Sequence, residues 1–250
     1  MIFYFSGTGN SKYAATQIWN GQEQLYDLAV CCRERQNAFS LEEGERLGFV
    51  FPVYYGGLPS KVQTFLKHLQ LEGVPAYTFA VITCGAKIFG AGAMLKQRLA
   101  RLELGLDAVF PLRMPDNYVI LYELPSEEET DRILEQSERS LAEIRERIEG
   151  REACPPKPGI RERAATRMMY PLYVRGRKTA KFHVTDTCVS CGICAKRCPS
   201  AAIELIDGVP TWVKDRCVHC MSCMRCNAIQ YGKKTLGRRR HVHPSLKKCH

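Results

Sequence analysis

Thirteen cysteines constrain this chain more than any other feature, because they are unevenly spread. Cys31, Cys32, Cys84 and Cys154 are scattered over the first 180 residues. Nine follow in the last 70, and eight of those lie between Cys188 and Cys226. The eight form two runs, Cys188-x2-Cys191-x2-Cys194-x3-Cys198-Pro199 and Cys217-x2-Cys220-x2-Cys223-x2-Cys226. A similar short element follows each, Ala202-Ile203-Glu204-Leu205 and Ala228-Ile229-Gln230-Tyr231. This pseudo-repeat of roughly 29 residues predicts a two-fold related pair of sites. Charge follows the same division. Residues 1–125 hold eleven bases and eleven acids, 126–180 twelve and eleven, and 181–250 thirteen and four, so +9 of the net +10 sits in the cysteine-rich part. At 45% hydrophobic and 25% charged, the composition is globular. It excludes collagen-like, disordered and low-complexity classes, and 250 residues leave room for a medium domain plus a small one.

Three thiolates at two-residue intervals can wrap one face of an iron–sulfur cube, and a fourth followed by proline turns away toward a second one; the first run has that spacing throughout. The second departs at its end: Cys226 comes after two spacer residues instead of three, and Asn227 stands where proline is expected. The rival chemistry is zinc held by paired C-x2-C units. Zinc sites use two separated pairs, whereas successive steps here share cysteines, which favours iron–sulfur. Residues 1–5 carry no basic n-region, and the apolar stretches around 49–55 and 79–83 are too short to cross a bilayer. A cytoplasmic protein, with thiols for metal or catalysis instead of disulfides, is therefore expected. His219, between two of the thiols, reads as a surface or supporting residue. His241, His243, Cys249 and His250 read as incidental.

The first 150 residues alternate β-prone runs with helical periodicity. Apolar runs over 2–5, 25–30, 47–54, 77–83 and 108–112 predict five strands. Amphipathic stretches from Tyr13 to Trp19, Val62 to Leu69 and Met94 to Leu102 predict helices between them. A long helix is expected over 126–150, capped by Ser126 with Glu129 and lined by Ile133, Leu134, Leu141, Ile144 and Ile148. The alternation predicts an α/β fold with a doubly wound five-stranded parallel sheet, which binds ligands at the carboxyl ends of its strands. Loops leave those ends at 6–11, 54–60, 84–92 and 113–122. The first, Ser6-Gly7-Thr8-Gly9-Asn10-Ser11, offers three hydroxyls, an amide and two glycines where a helix starts, which suits a phosphate monoester held by neutral donors. The triphosphate pattern GxxxxGK[ST] is absent, and GxGxxG would need glycine where Lys12 stands. Tyr54-Tyr55-Gly56-Gly57 sets two aromatics beside flexible backbone, suited to a planar ring. Residues 84–92 offer backbone groups with little side-chain obstruction. A flat ring on a phosphate tether is flavin mononucleotide, FMN.

On the hydroxyl-rich loop, the segment P-V-Y-Y-G-G-L-P and the glycine-bearing loop after the fourth strand, residues 1–150 resemble a flavodoxin-like FMN-binding domain. The resemblance implies strand order 2-1-3-4-5. It also implies phosphate contacts from Ser6, Thr8, Gly9, Asn10 and Ser11, and ring contacts from Tyr54, Tyr55, Gly56, Gly57, Cys84, Gly85 and Ala86. Asn117, within M-P-D-N-Y, would close one side. Residues 181–231 resemble a bacterial two-cluster ferredoxin. That implies a small α+β domain with two [4Fe-4S] clusters, one on Cys188, Cys191, Cys194 and Cys226, the other on Cys217, Cys220, Cys223 and Cys198. In domain order and in the phrases S-G-T-G-N-S, M-P-D-N-Y and I-Q-Y-G-K-K-T, the whole chain resembles the flavodoxin–ferredoxin fusion proteins of anaerobic microbes.

Between the halves, residues 151–180 read as a linker and inter-domain packing segment. It opens with Cys154-Pro155-Pro156-Lys157-Pro158-Gly159 and carries an apolar patch at Met168, Met169, Tyr170, Leu172 and Tyr173. Residues 181–250 read as the ferredoxin domain with a basic tail. Lys233, Lys234, Arg238, Arg239 and Arg240 are expected to lie solvated against the anionic clusters, and no aromatics interleave with them as a nucleic-acid binder requires. The expected function is electron transfer between two [4Fe-4S] clusters and FMN, coupling one-electron ferredoxin-type donors to one- or two-electron flavin chemistry, with redox partner proteins of unknown identity. Two alternatives stay open. One is a flavin-dependent reductase of a small substrate, with Tyr55, Lys87 and Tyr118 candidates by location only. The other is a redox sensor whose basic tail binds a macromolecule.

Overall fold

The computed structural model describes residues 1–246, so Cys249 and His250 lie outside the described residues. Strands β1 (Ile2–Tyr4), β2 (Leu25–Asp27), β3 (Arg46–Pro52), β4 (Tyr77–Cys84) and β5 (Ala108–Arg113) form one parallel sheet in the order β2-β1-β3-β4-β5. Alternate side chains build two cores. Phe3, Phe5, Phe49, Phe51 and Ile82 pack under α2 (Leu28–Glu34), α3 (Ser60–His68) and α4 (Ala91–Ala100). Ile2, Tyr4, Val50, Phe79, Val81 and Phe110 pack under α1 (Asn10–Ile18) and α5 (Glu127–Glu149). Covering both faces is what near-continuous apolar strands require. Glycine is needed at Gly48, where a Cβ would sit 2.5 Å from the buried Phe79 ring of the neighbouring strand. The Ser126 Oγ accepts from the Glu129 amide at 3.1 Å and starts α5, whose buried stripe includes Ile133, Leu141, Ile144 and Ile148; Leu134 is only partly buried.

The sheet domain departs from the sequence expectation in two of its elements. The second strand stops at Asp27 instead of running to Val30. The Asp27 carboxylate accepts from the Ala29 amide at 2.8 Å and caps α2, a local bond that outweighs the modest β-propensity of Leu28-Ala29-Val30. A small parallel pair, residues 38–40 with 70–72, forms outside the main sheet, where three-residue segments give no readable period.

Helix α6 (Ile160–Gly176) starts after the proline-rich stretch and lies against three loops at once. Thr166 Oγ1 accepts from Gly90 N at 2.9 Å and donates to Gly56 O at 3.0 Å. Tyr170 OH donates to Leu58 O at 2.6 Å, and Tyr173 OH donates to Val218 O at 3.2 Å. The helix is thus bonded to the sheet domain and to the cysteine-rich part. That part pairs β6 (Phe182–Val184) with β9 (Ile229–Tyr231), and β7 (Ile203–Ile206) with β8 (Val209–Trp212), both antiparallel. One cysteine run lies between β6 and β7, the other between β8 and β9. Phe182 and Trp212 stack across the two strand pairs, centroids 5.2 Å apart.

From Arg238 on, the basic tail is bonded to the sheet domain as well as to the cysteine-rich part, where a solvated segment was expected; Lys233 and Lys234 stay exposed. Arg238 Nη1 donates to Val119 O at 2.7 Å, and Arg239 Nη2 donates to Pro125 O and pairs with Glu127 at 3.4 Å. His243 N donates to Thr8 O at 2.9 Å, and its ring stacks on Tyr13, centroids 4.0 Å apart.

Two outcomes follow for stability. Arg46 and Glu23 form a buried ion pair, and Arg46 Nη2 also reaches Ile18 O at 3.1 Å. Glu23→Ala leaves that guanidinium buried without its counter-charge and should cost about 3–5 kcal/mol in urea unfolding. Burial lowers the His243 pKa from 6.5 to about 4, against an opposing pull from Glu138. The docked ring is neutral while a released one takes up a proton, so the tail should stay bound above pH 6.5 and loosen progressively toward pH 4. Hydrogen exchange of residues 236–246 across that range reads this; exchange independent of pH-linked release would contradict it.

Candidate functional site

The four loops at the carboxyl ends of the strands enclose one cavity of about 730 Å³, within the size range of cofactor sites. Of the expected contact residues, Ser6, Thr8, Asn10, Ser11, Tyr54, Tyr55, Gly56, Cys84, Gly85, Ala86 and Asn117 line it; Gly9 and Gly57 do not. Gly9, at φ +109°, lies under the tail, and a Cβ on Gly57 would meet the Tyr170 ring at 2.4 Å. Their role is close packing of backbone against the tail and α6.

The loop at 6–11 is internally wired. Ser6 Oγ accepts from Gly9 N at 3.1 Å, Thr8 Oγ1 accepts from Asn117 Nδ2, and Ser11 Oγ meets Thr83 Oγ1 at 2.7 Å. A hydroxyl that accepts from an N–H keeps its own hydrogen to donate. Ser6 and Thr8 are therefore oriented donors, joined by the first N–H groups of α1, which have no upstream carbonyl in the helix. Asn10 differs from the expectation. Its Nδ2 donates to Pro115 O at 2.9 Å and its Oδ1 faces His241 Nε2 at 3.0 Å, so its amide holds the loop and only its backbone is left for an anion.

The aromatic side is a tight turn. Tyr54 N and O bond Gly57 O and N at 2.9 and 3.0 Å, and both corner residues have positive φ, Tyr55 at 50° and Gly56 at 75°. A bulky residue in that region is strained. Tyr55 is held there between Tyr173, stacked at 5.8 Å, and Tyr118, edge-on at 5.8 Å. Cys84 lines the cavity as a buried thiol, and burial pushes its pKa up to about 11; it is a neutral wall. Lys87 and Tyr118 also line it.

Sequence reading missed the wall supplied from outside the sheet domain. Met169, Leu172 and Tyr173 of α6 line the cavity, as does His219, which stands between Cys217 and Cys220. His219 is buried, not superficial. Its Nδ1 meets Tyr118 OH at 3.2 Å and its Nε2 meets Lys178 O at 3.0 Å. The apolar run of α6 was the available signal; nothing around His219 marked it.

The two cysteine runs repeat in backbone as well as sequence. Ser190 and Gly192 flank Cys191 with φ 55° and 69°; His219 and Met221 flank Cys220 with φ 53° and 62°. Alternating left-handed residues turn successive N–H groups inward, the concavity found around iron–sulfur and phosphate anions. Two donors already reach sulfur: Ala202 N to Cys198 Sγ at 3.3 Å and His219 N to Cys217 Sγ at 3.4 Å. The thiols separate into two neighbourhoods. Cys198, Cys217, Cys220 and Cys223 line one small closed cavity and interact electrostatically with one another. Cys194 feels Cys191 and Cys226, so the short spacer still returns Cys226 to the first run. Cys188, half-buried, precedes them. Among the described residues no three metal-binding side chains converge at single-ion spacing.

Burial, then the neighbouring thiols, pushes the Cys220 and Cys223 thiols up, so thiolates there need positive charge beside them. Each set also has a half-buried arginine nearby. Arg177 Nη1 donates to Cys217 O at 2.9 Å, and Arg240 is within electrostatic reach of Cys226. The Nε of each is buried without a hydrogen-bond partner among the described residues. An anionic group at each thiol set offsets that cost, and a cluster with four thiolates is anionic, so the residues present fit it.

Gly7 brings the two sites into contact: a Cβ there would lie 2.0 Å from the Cys220 carbonyl oxygen. Gly7→Ala forces two backbones apart. It should cost about 3 kcal/mol, at the upper end of overpacking, and expose the seam to limited proteolysis. Wild-type stability and protection in this variant would contradict the contact.

Residues 1–103 match the family model of a flavodoxin domain, and residues 182–204 that of a 4Fe-4S binding domain. Among curated proteins none matches. Solved structures similar to the chain include a "Putative flavoprotein from Bacteroides uniformis ATCC 8492", 15% identical, with 45% of this chain and 88% of that one covered at a TM-score of 0.36. Another is the "Trp Repressor Binding Protein from Bacillus subtilis", 12% identical, covering 59% and 96% at a TM-score of 0.37. The sheet order, the loop cavity and the matched segments together make this chain a flavodoxin domain followed by a 4Fe-4S domain, the arrangement of a flavodoxin–ferredoxin fusion with an electron-transfer role.

Proposed function

We propose that the chain holds one FMN and two [4Fe-4S] clusters and passes electrons between them, joining one-electron donors to flavin chemistry. The observation that carries this is the shared wall. His219, flanked by the thiols of one set, lines the cavity that also contains Ser6, Tyr55 and Gly85, and Gly7 abuts Cys220. Bound FMN supplies one- or two-electron chemistry and each cluster one-electron chemistry.

The chain's own residues have separate tasks in this reading. Ser6, Thr8, Ser11 and the start of α1 receive the phosphate. Tyr54, Tyr55, Gly56 and residues 84–86 bound the ring, with Asn117 fixing Thr8 from the side. Cys198, Cys217, Cys220 and Cys223 hold the inner cluster. Cys188, Cys191, Cys194 and Cys226 hold the outer one, nearer solvent since Cys191 and Cys226 are exposed. The chain divides accordingly into a flavin domain (1–150), a packing segment (151–180) and a cluster domain with its tail (181–250). The outer face would meet a redox partner protein. No helix among the described residues is long and apolar enough to cross a membrane.

Reduction of a small substrate is a second reading, favoured by one feature: the cavity continues past the polar loops to a partly exposed rim of Leu121, Tyr122 and Leu172. The sensor reading gains no support from the docked tail, whose arginines are engaged on backbone carbonyls.

Protein purified without oxygen should contain about eight irons and one FMN, with cluster and flavin absorbance. Cys223→Ser should lose about half of the iron while Cys226→Ser loses the other half. Zinc in place of iron would sink the reading. Turnover of a small electron acceptor that is competitive with its analogues would favour the reductase.

A further inference from the structure

We infer that the tail, residues 236–246, is part of the site that receives the flavin's phosphomonoester, with His241 a positioning residue acting through Asn10. The inference rests on the FMN reading above. Three contacts from the tail fall on three consecutive loop residues. His243 N donates to Thr8 O at 2.9 Å. Gly9 has no room for a Cβ, because Leu246 Cδ1 and His243 Cβ would lie 2.7 and 2.8 Å away. His241 Nε2 meets Asn10 Oδ1 at 3.0 Å, while Asn10 Nδ2 is held by Pro115 O at 2.9 Å. With an acceptor at Asn10 Oδ1, His241 donates from Nε2.

The strap is tied at both ends. Upstream, Arg238 is bonded to Val119 O at 2.7 Å and Tyr122 O at 3.3 Å, and Arg240 Nη2 to Gln230 Oε1 at 2.8 Å and Thr235 O at 3.1 Å. Downstream, Arg225 Nη2 donates to Leu246 O at 3.3 Å. Between these ties the chain has little freedom, so the loop it presses on has little either. A loop whose N–H and O–H donors are fixed before binding does not lose that freedom when the anion arrives, and the gain appears as affinity. Asn10 transmits the effect: it joins the tail on one side to the 113–122 loop on the other, with residues 6–11 between.

The test compares FMN with riboflavin, which has the ring and no phosphate, by fluorescence titration of full-length, iron-containing, flavin-depleted chain. His241→Ala should weaken FMN binding about five- to tenfold, the size of one lost hydrogen bond with its packing, and leave riboflavin unchanged within about twofold. His241→Gln, whose amide can donate to Asn10 Oδ1, should recover most of the loss. Equal losses for both flavins, or no loss for FMN, overturn the inference. Hydrogen exchange of residues 6–12 without flavin is the second measurement: it should speed up in His241→Ala and return toward wild type in His241→Gln, and unchanged exchange overturns the inference as well. If the wild-type chain binds neither flavin, the FMN reading fails, while the exchange result still decides whether the tail orders the loop.

Discussion

Three hydroxyls on one helix hold this molecule together. Thr166, Tyr170 and Tyr173 of α6 bond backbone at Gly56, Leu58, Gly90 and Val218, so two cavity loops and one thiol loop share a single support. Such groups are costly to bury unpaired and modestly stabilising when paired. Their value here is geometric, because moving α6 would break all of these bonds at once. Arg177 extends the arrangement. Its guanidinium lies over the Tyr173 ring at 5.4 Å and donates to Cys217 O. The position of the cysteine loop is therefore fixed by the same side chain that walls the cavity.

Fixed support explains why the cavity can tolerate unusual backbone. Tyr55, His219 and Met221 all sit at positive φ, each at a cost that only a rigid surrounding can offset. At Tyr55 the strain aims a ring between two other tyrosines. At His219 and Met221 it turns amide groups toward sulfur. In both cases the local sequence prefers something else and the tertiary frame decides.

That division also separates what was legible in the sequence from what was not. The sheet could be read because Phe3, Phe49, Val81 and their neighbours form apolar runs that only a doubly covered strand needs. The thiol sets could be read because spacing is a covalent property. The loop at 6–11 was legible in composition, but nothing local told that the Asn10 amide would be spent on Pro115 and His241. The outer wall of the cavity was legible only as an apolar patch at Met169 and Tyr173 with no stated destination, and not at all at His219, because these side chains reach the cavity by folding across more than a hundred residues. The tail was misread for the same reason. A run of arginines looks solvated until the carbonyls of Val119, Tyr122 and Pro125 are seen beside it.

The uneven charge then becomes an argument about what the cysteine-rich part contains. Thirteen bases against four acids in seventy residues would repel one another in a compact domain, and self-repulsion of that kind opposes folding. Among the described residues, Arg239 pairs with Glu127 of the sheet domain. Arg240, like Arg177 just before this segment, stands beside thiols with a buried Nε that has no partner among the described residues, while Lys233 and Lys234 remain exposed. Negative charge held within the nests of inward-turned amides would offset part of that surplus. Neutral thiols cannot provide it; an anionic iron–sulfur cluster can.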